Sequence, residues 1–313
     1  MSAEQRTVLR LGTRASALAT TQSQMIADRL RVECDIDVEL VTISTEGDRN
    51  MAPLSSMGGQ GVFVAALREA LVDGRVDIAV HSLKDLPTTP DPRLTLAAVP
   101  PRVDARDVLV ARDGLTLGEL PRGARVGTGS PRREAQLNAL GLGVEVVPIR
   151  GNVDTRIGKI ASGDVDGVLL ARAGLLRLGR ADEATEVIDP LQMLPAPGQG
   201  ALACECRADD DATARLLERL DDSDTRAAVT AERSLLATLE AGCSAPVGAL
   251  AEIVDGDDGD ELWLRAVVGD ISGSPTIRLS ATGSVSEAAA VGERLAVEML
   301  AEGADALVAA ATS

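Results

Sequence analysis

The stretch V99-P-P-R-V-D-A-R-D107 decides how this chain is read. Two consecutive prolines can neither continue a helix nor donate to the middle of a sheet. They fall where a regular alternation of elements stops. Upstream, VLRLGT (8–13) reads as a strand. SALATTQSQMIADRL follows as a helix with Ser16 as its cap. IDVELVTI alternates as a strand, and GDRNMAPLSSMGGQG is a polar, glycine-rich loop. VFVAALREALVDG is an amphipathic helix closed by Gly74, and VDIAV is a short buried strand. Downstream the alternation resumes with the strands DVLVA and ARVGT, the helix PRREAQLNAL, the strand VEVVPI, the helix VDTRIGKIAS, the strand VDGVLLA and the helix RAGLLRL. A second break, PLQMLPAPGQG (190–200), ends that block. Strand–helix alternation indicates a mainly parallel α/β sheet in each block. Two breaks around one block predict that the chain leaves a first domain and returns to it, giving two hinged lobes with a cleft between them.

After residue 223 the pattern changes. DTRAAVTAERSLLATLEAG reads as a long helix ending at Gly242. VGALAEIV, LWLRAVVG and TIRLSATG are successive strands without helices between them, and EAAAVGERLAVEML closes the chain as a helix. This predicts an α+β third domain on a small antiparallel sheet. The expected fold class is α/β with two parallel-sheet lobes plus that C-terminal domain. The expected divisions are 1–101 with 198–220, 102–197, and 221–313.

Composition narrows the function. Phe63 and Trp263 are the only aromatic residues, so base stacking on aromatic platforms is not expected. A net charge of −17 also argues against nucleic acid, which needs a basic footprint. The N-terminus MSAEQRTVLRLG has no apolar core of a signal peptide, and no apolar run reaches the length of a membrane span. A soluble cytoplasmic protein is expected. The cysteines Cys34, Cys204, Cys206 and Cys243 fit a reducing compartment. Cys204 and Cys206 alternate in ALACECR and read as small buried residues on one strand face; with a single histidine in the chain, no metal site is expected. Arginine far outnumbers lysine, and acidic blocks such as DGDDGDE recur. Either a GC-rich genome or adaptation to high salt in a halophilic prokaryote accounts for this.

The chemistry gathers at strand ends. In GTGSPRREAQL, Ser130 is placed to cap a helix whose first turn begins at Pro131. The glycines let backbone N–H groups point inward, and Arg132 and Arg133 add forked donors for carboxylate or phosphate. PIRGNVDTRIGK repeats the logic with Arg150 and Arg156, LGTRAS with Arg14 and Ser16, and VHSLKDLP with Ser82, Lys84 and Asp85. Ligands of open parallel sheets bind at the carboxyl ends of strands. Together these motifs describe a pocket for a ligand with several negative charges. Asp85 among these cations is either an ion-pair partner or a carboxylate that faces positive charge during a reaction. Cys243, in LEAGCSAPVG, is either a small buried residue or an accessible thiol.

These stretches, with GGQGVFVAALREAL, IRGNVDTRIGKI and LPAPGQGALACECR, resemble the hydroxymethylbilane synthase (porphobilinogen deaminase) family nearly end to end. The resemblance implies lobes like those of type II periplasmic binding proteins. It implies an enzyme that condenses four porphobilinogen molecules head to tail, releasing ammonia, on a dipyrromethane cofactor held by a thioether. The product hydroxymethylbilane is passed on for uroporphyrinogen III formation. Cys243 matches the attachment cysteine and Asp85 the catalytic aspartate. The resemblance also implies cofactor contacts at Ser82, Lys84, Asp85, Thr128, Ser130, Arg132, Arg133 and Arg150, and substrate contacts at Arg14, Ser16, Arg156, Arg177 and Gln199. His81 is expected to be structural, and the enzyme monomeric. One departure is the glycine-rich loop, which reads SSMGGQG with Ser56 and Gln60 where the family commonly carries lysines. The competing reading is a non-catalytic two-lobed anion-binding module.

Overall fold

In chain order the strands are β1 (Val8–Thr13), β2 (Asp37–Thr42), β3 (Ile78–Ser82), β4 (Leu94–Ala98), β5 (Asp107–Ala111), β6 (Arg125–Thr128), β7 (Glu145–Pro148), β8 (Gly167–Ala171), β9 (Glu186–Val187), β10 (Leu202–Arg207), β11 (Val247–Gly256), β12 (Gly259–Gly269) and β13 (Thr276–Ser284). The helices are α1 (Ala17–Cys34), α2 (Val62–Val72), α3 (Pro131–Ala139), α4 (Val153–Ala161), α5 (Arg172–Arg177), α6 (Asp211–Glu218), α7 (Ser223–Thr238), α8 (Ala288–Ala301) and α9 (Ala304–Ala310). This computed structural model describes residues 8–43, 62–242, 245–256 and 259–311. Ser56, Gln60 and Cys243 lie outside the described residues. The chain divides into two units. One comprises Met1–Arg102 with Ala201–Arg226, the other Val103–Gly200 with Ala227–Ser313.

The first unit is built on a five-stranded sheet of order β2-β1-β3-β10-β4. β1 runs parallel to both β2 and β3. β10 is antiparallel to both of its neighbours, β3 and β4. Ser16 caps α1 by accepting from the Ala19 N–H at 3.4 Å, as its sequence position predicts. The helix then buries Ile26, Ala27 and Leu30 against Leu9, Leu11, Ile78, Cys204 and Cys206 of the sheet. Each fully buried aliphatic side chain of this kind stabilises the fold by about 1.5–3 kcal/mol. Cys204 and Cys206 share one strand face in that core. Burial pushes their thiols up to about 12 and about 11, so both are inert at neutral pH.

The second unit holds a sheet of order β7-β6-β8-β5-β9 and a separate three-stranded sheet, β11-β12-β13. β6 is parallel to β7 and β8, whereas β5 is antiparallel to β8 and β9. Each five-stranded sheet is therefore mixed, with one reversed strand set between strands that run the other way. The sequence expectation of parallel sheets holds for four strands in each and fails for β10 and β5. The three-stranded sheet is the antiparallel meander expected after residue 223. α7, α8 and α9 cover it, burying Leu235, Leu239, Val291, Leu295 and Met299 against Leu262 and Leu264.

Candidate active site

In the second unit the site begins where β6 and β7 end. A Cβ on Gly127 would stand 2.7 Å from Ile149 Cδ1, and one on Gly129 would stand 2.7 Å from the Ile149 carbonyl oxygen. The Ile149 side chain can give way at Gly127, but its backbone carbonyl cannot, so the GTGS turn lies against the end of β7 only with glycine at 129. Ser130 was expected to cap α3 with its side chain. Instead its hydroxyl makes no cap bond, and its backbone N–H donates to Thr128 Oγ1 at 3.2 Å. The next turn is capped where the sequence reading had missed it. Asn152 Oδ1 accepts from the Thr155 N–H at 2.9 Å and starts α4. Gly151 precedes it at φ +111°, with room only for a hydrogen because a Cβ would lie 2.6 Å from Thr155.

Arg132 and Arg133 follow Pro131 in the first turn of α3, and both are buried. Sequence reading aimed them at a ligand. The structure turns one edge of each guanidinium onto Asp107, the first residue of β5. Arg132 Nη1 donates to Asp107 Oδ2 at 2.7 Å and to the Leu194 carbonyl at 2.6 Å. Arg133 Nη2 donates to Asp107 Oδ1 at 2.8 Å, and its Nη1 to the Leu169 carbonyl at 3.0 Å. Gln199 Nε2 also donates to Asp107 Oδ1, at 2.8 Å, and to the Ala105 carbonyl. Burial works against the charge of Asp107. The two guanidiniums outweigh it and hold the carboxyl well below the usual carboxylate range. The Nε atoms of Arg132 and Arg133 are buried and have no hydrogen-bond partner in the protein.

Around this cluster the charge is positive. Arg150 is exposed just beyond β7. Arg156, on α4, donates from Nε to the Gly151 carbonyl at 2.8 Å. Burial first, then repulsion from Arg133 and Arg150, brings Arg156 down to about 10. Arg177 ends α5, donates to the Gly200 carbonyl at 2.7 Å, and is brought down to about 10 by burial. An anion bound here would reverse both penalties by supplying the missing countercharge.

The first unit carries its own set of the residues expected from sequence. β1 and β3 are adjacent and parallel, so the loops at their carboxyl ends are neighbours. One holds Arg14 and Ser16. The other is the single 3₁₀ turn Leu83–Asp85 after Ser82, with Lys84 half-buried and Asp85 exposed. His81, on β3, is buried. Its Nε2 lies 3.3 Å from Glu205 Oε2 on β10, off the line of an aligned hydrogen bond, so we read the approach as an electrostatic contact. Arg68 of α2 grips the same carboxylate through Nε and Nη2, at 2.9 and 2.7 Å. Burial opposes the charge of Glu205, but His81 and Arg68 together lower it. His81 thus belongs to a structural cluster beneath the turn that carries Lys84 and Asp85. Among the described residues no cluster of His, Cys, Asp and Glu could hold a metal ion.

Residues 9–215 match the model of the porphobilinogen deaminase dipyrromethane cofactor-binding domain, and residues 226–301 that of the porphobilinogen deaminase C-terminal domain. The chain belongs to the porphobilinogen deaminase family. Porphobilinogen deaminase of Mycobacterium tuberculosis (strain ATCC 25618 / H37Rv) is 60% identical over 302 residues, which cover 95% of this chain and 97% of that protein. The enzyme of Mycobacterium marinum is 58% identical over 302 residues, covering 95% and 96%. Among solved structures, a periplasmic substrate-binding protein of an ABC transporter from Coxiella burnetii overlaps 68% of this chain and 91% of its own. Its TM-score is 0.44 and its identity 16%. Nothing about a ligand carries over from so partial an overlap.

The porphobilinogen deaminase cofactor-binding domain includes every site residue named above from Arg14 to Gln199, and the C-terminal domain includes Cys243. The described side chains fit a polyacidic dipyrromethane. The groups at the ends of β6 and β7 are N–H donors and arginines, and the buried Nε atoms of Arg132, Arg133 and Arg177 have no protein acceptor. The one carboxylate in that cluster, Asp107, is already engaged by three donors.

Proposed function

We propose that this chain condenses four porphobilinogen molecules head to tail on a covalent dipyrromethane primer, releasing ammonia and yielding hydroxymethylbilane for tetrapyrrole biosynthesis. The observation that carries this reading is a cluster of arginines at the carboxyl ends of β6, β7 and β8, net positive because its one carboxylate is already engaged, within the matched cofactor-binding domain. Arg132, Arg133 and Arg150, with Thr128 and Ser130, hold the cofactor carboxylates. Arg156 and Arg177, with Arg14 and Ser16, serve the incoming substrate; Gln199, expected from sequence as a substrate contact, is buried and spends its amide donors on the Ala105 carbonyl and Asp107 instead. Bidentate arginine suits carboxylates better than lysine does, which accords with the arginine-rich composition.

Each substrate carries acetate and propionate groups and an aminomethyl cation. When ammonia leaves, positive charge develops on a pyrrole ring. Asp85 is placed on a short exposed turn with no cation paired to it among the described ion pairs. Its carboxylate stabilises that charge and accepts the pyrrole N–H. Ser82 and Lys84, on the same turn, contribute cofactor contacts. When bound, the dipyrromethane supplies the nucleophilic pyrrole carbon at which the chain grows; the protein supplies position, electrostatics and the exclusion of water. Cys243 is the proposed attachment point. The three-part division 1–101 with 198–220, 102–197 and 221–313 is supported by one sheet in each part. Cytoplasmic placement is supported by the biosynthetic reaction and by buried cysteines kept as thiols.

The test is intact mass. Purified enzyme should carry the mass increment of a dipyrromethane. Cys243→Ser should lose it, because a hydroxyl is a far weaker nucleophile than a thiolate, while Cys204→Ala and Cys206→Ala should retain it. A Cys243→Ser protein that keeps the increment overturns the attachment. A wild-type protein with no increment and no turnover of porphobilinogen favours a non-catalytic anion-binding module.

A further inference from the structure

One carboxylate sits beneath both arginines that open α3. Asp107 is fully buried. Its Oδ2 takes Arg132, and its Oδ1 takes Arg133 and Gln199. Consecutive helical residues point about 100° apart, so Arg132 and Arg133 can share a carboxylate only if it lies under the first turn between them. Two backbone carbonyls complete the hold, Leu194 for Arg132 and Leu169 for Arg133. Gln136, one turn further on, fastens the Leu194 segment to the same helix. It accepts from the Leu194 N–H at 2.8 Å and donates to the Leu194 carbonyl at 3.0 Å.

The charge count matters. Two buried guanidiniums share one carboxylate, so the cluster keeps a net positive charge, and both Nε atoms stay without a partner. Burying ions is costly unless they are fully compensated. The two buried Nε atoms are the donors still open to an acceptor. Half-compensation suits a site whose remaining negative charge arrives with a ligand.

We infer that Asp107 is a positioning residue for the reaction: through Arg132 and Arg133 it sets the angle at which the start of α3 meets the carboxylates of the bound cofactor and growing chain. Gln199 acts in the same arrangement by steadying Oδ1. This rests on the reading of Arg132 and Arg133 as carboxylate ligands.

A charge argument and a positioning argument predict opposite signs. Asp107→Asn removes one negative charge beneath the arginines. If Asp107 only balanced charge, its loss would strengthen anion binding. If it positions the arginines, binding weakens. The experiment compares wild-type holoenzyme with Asp107→Asn, Asp107→Glu, Gln199→Met and Arg133→Gln. It reads the fraction of chains carrying dipyrromethane by intact mass, then KM for porphobilinogen and kcat well below each variant's thermal midpoint. Asp107→Asn is expected to raise KM about ten-fold and lower cofactor occupancy, with kcat of the loaded fraction changed less. Asp107→Glu, which keeps the charge but shifts it by one methylene, should fall between. Gln199→Met, with every charge intact, should raise KM a few-fold.

A folded Asp107→Asn whose KM and occupancy equal or better the wild type overturns the inference. If Asp107→Asn does not fold, an unchanged KM in Asp107→Glu overturns it, and a raised one supports it. If neither folds, Gln199→Met decides in the same way. Failure of the underlying reading looks different: Arg133→Gln would then load cofactor and bind substrate normally.

Discussion

Gly129→Ala probes how tightly the candidate site is assembled. The new Cβ would stand 2.7 Å from the Ile149 carbonyl oxygen, where comfortable carbon–oxygen contacts start near ~3.3 Å. The obstacle is backbone and cannot swing away as a side chain could. The ends of β6 and β7 must therefore part by roughly 0.6 Å, and the first turn of α3 moves with them. Overpacking of this kind costs about 1–3 kcal/mol. For a unit of this size each kcal/mol lowers the thermal midpoint by about 2–4 °C, so a fall of about 4–8 °C is expected for a 2 kcal/mol loss. Gly158→Ala is the internal control. Gly158 lies inside α4, where a Cβ meets nothing within 4 Å. Alanine there should raise stability by about 0.5–1 kcal/mol through helix propensity alone. Differential scanning calorimetry gives the midpoints, and intact mass gives the fraction of chains loaded with cofactor. Gly129→Ala should lower both, and Gly158→Ala should raise the midpoint without changing the loading. A Gly129→Ala protein with a midpoint within a degree of wild type and full loading would refute the close packing of these two turns as the reason for glycine.

Asp85→Asn preserves shape and removes charge. Turnover of porphobilinogen should fall about 10²–10³-fold, as for loss of one preorganised electrostatic group, while the cofactor mass remains; near-normal turnover would reduce Asp85 to a surface acid. Stability should hold from neutral pH down to about 5 and then fall. Against burial, which raises them, Asp77, Asp104 and Asp107 are held below the ordinary 3.8 by arginines, and Glu205 below 4.5 by His81 and then Arg68. Depressed carboxyls contribute stability that is present above their unfolded pKa and lost as pH falls through the folded one. A thermal midpoint that stays flat from pH 5 to 2.5 would contradict this.

Much of the architecture is readable from local pattern. Period and punctuation place β1, α1, β3 and the α3 and α4 turns, because a cap, a closing glycine or an apolar alternation acts within a few residues. What is not readable is partnership at a distance. Alternation shows that ALACECR and DVLVA are strands but not that each enters its sheet reversed. Arg132 and Arg133 announce cations at a helix start. Nothing near them in sequence reveals that Asp107, at the end of a proline-marked break, turns them inward. His81 likewise depends on Glu205, which its own neighbourhood does not disclose. Ser130 fits the cap rule, yet its backbone N–H finds Thr128 and its hydroxyl takes no part in the cap. Cys243 and Asp85 were singled out by resemblance. Local chemistry alone favoured a buried thiol for Cys243 and left Asp85 open between an ion-paired acid and a reacting one.

The reversed strand β10 also sets a timetable for synthesis. β3 and β4 are made early, but neither pairs with the other; β10 lies between them. From Ala98 to Leu202 the ribosome must add roughly a hundred residues before that slot can be filled. At about 5–20 residues per second, the centre of the first sheet stays open for on the order of ten seconds. In that interval β3 and β4 expose unpaired edges and the apolar face that Leu202, Cys204 and Cys206 will cover. The second unit's α/β segment emerges whole inside this interval, so it can fold while the first is still waiting. The nascent chain is therefore most exposed to strand-edge aggregation, and most in need of a chaperone, in the middle of its own translation.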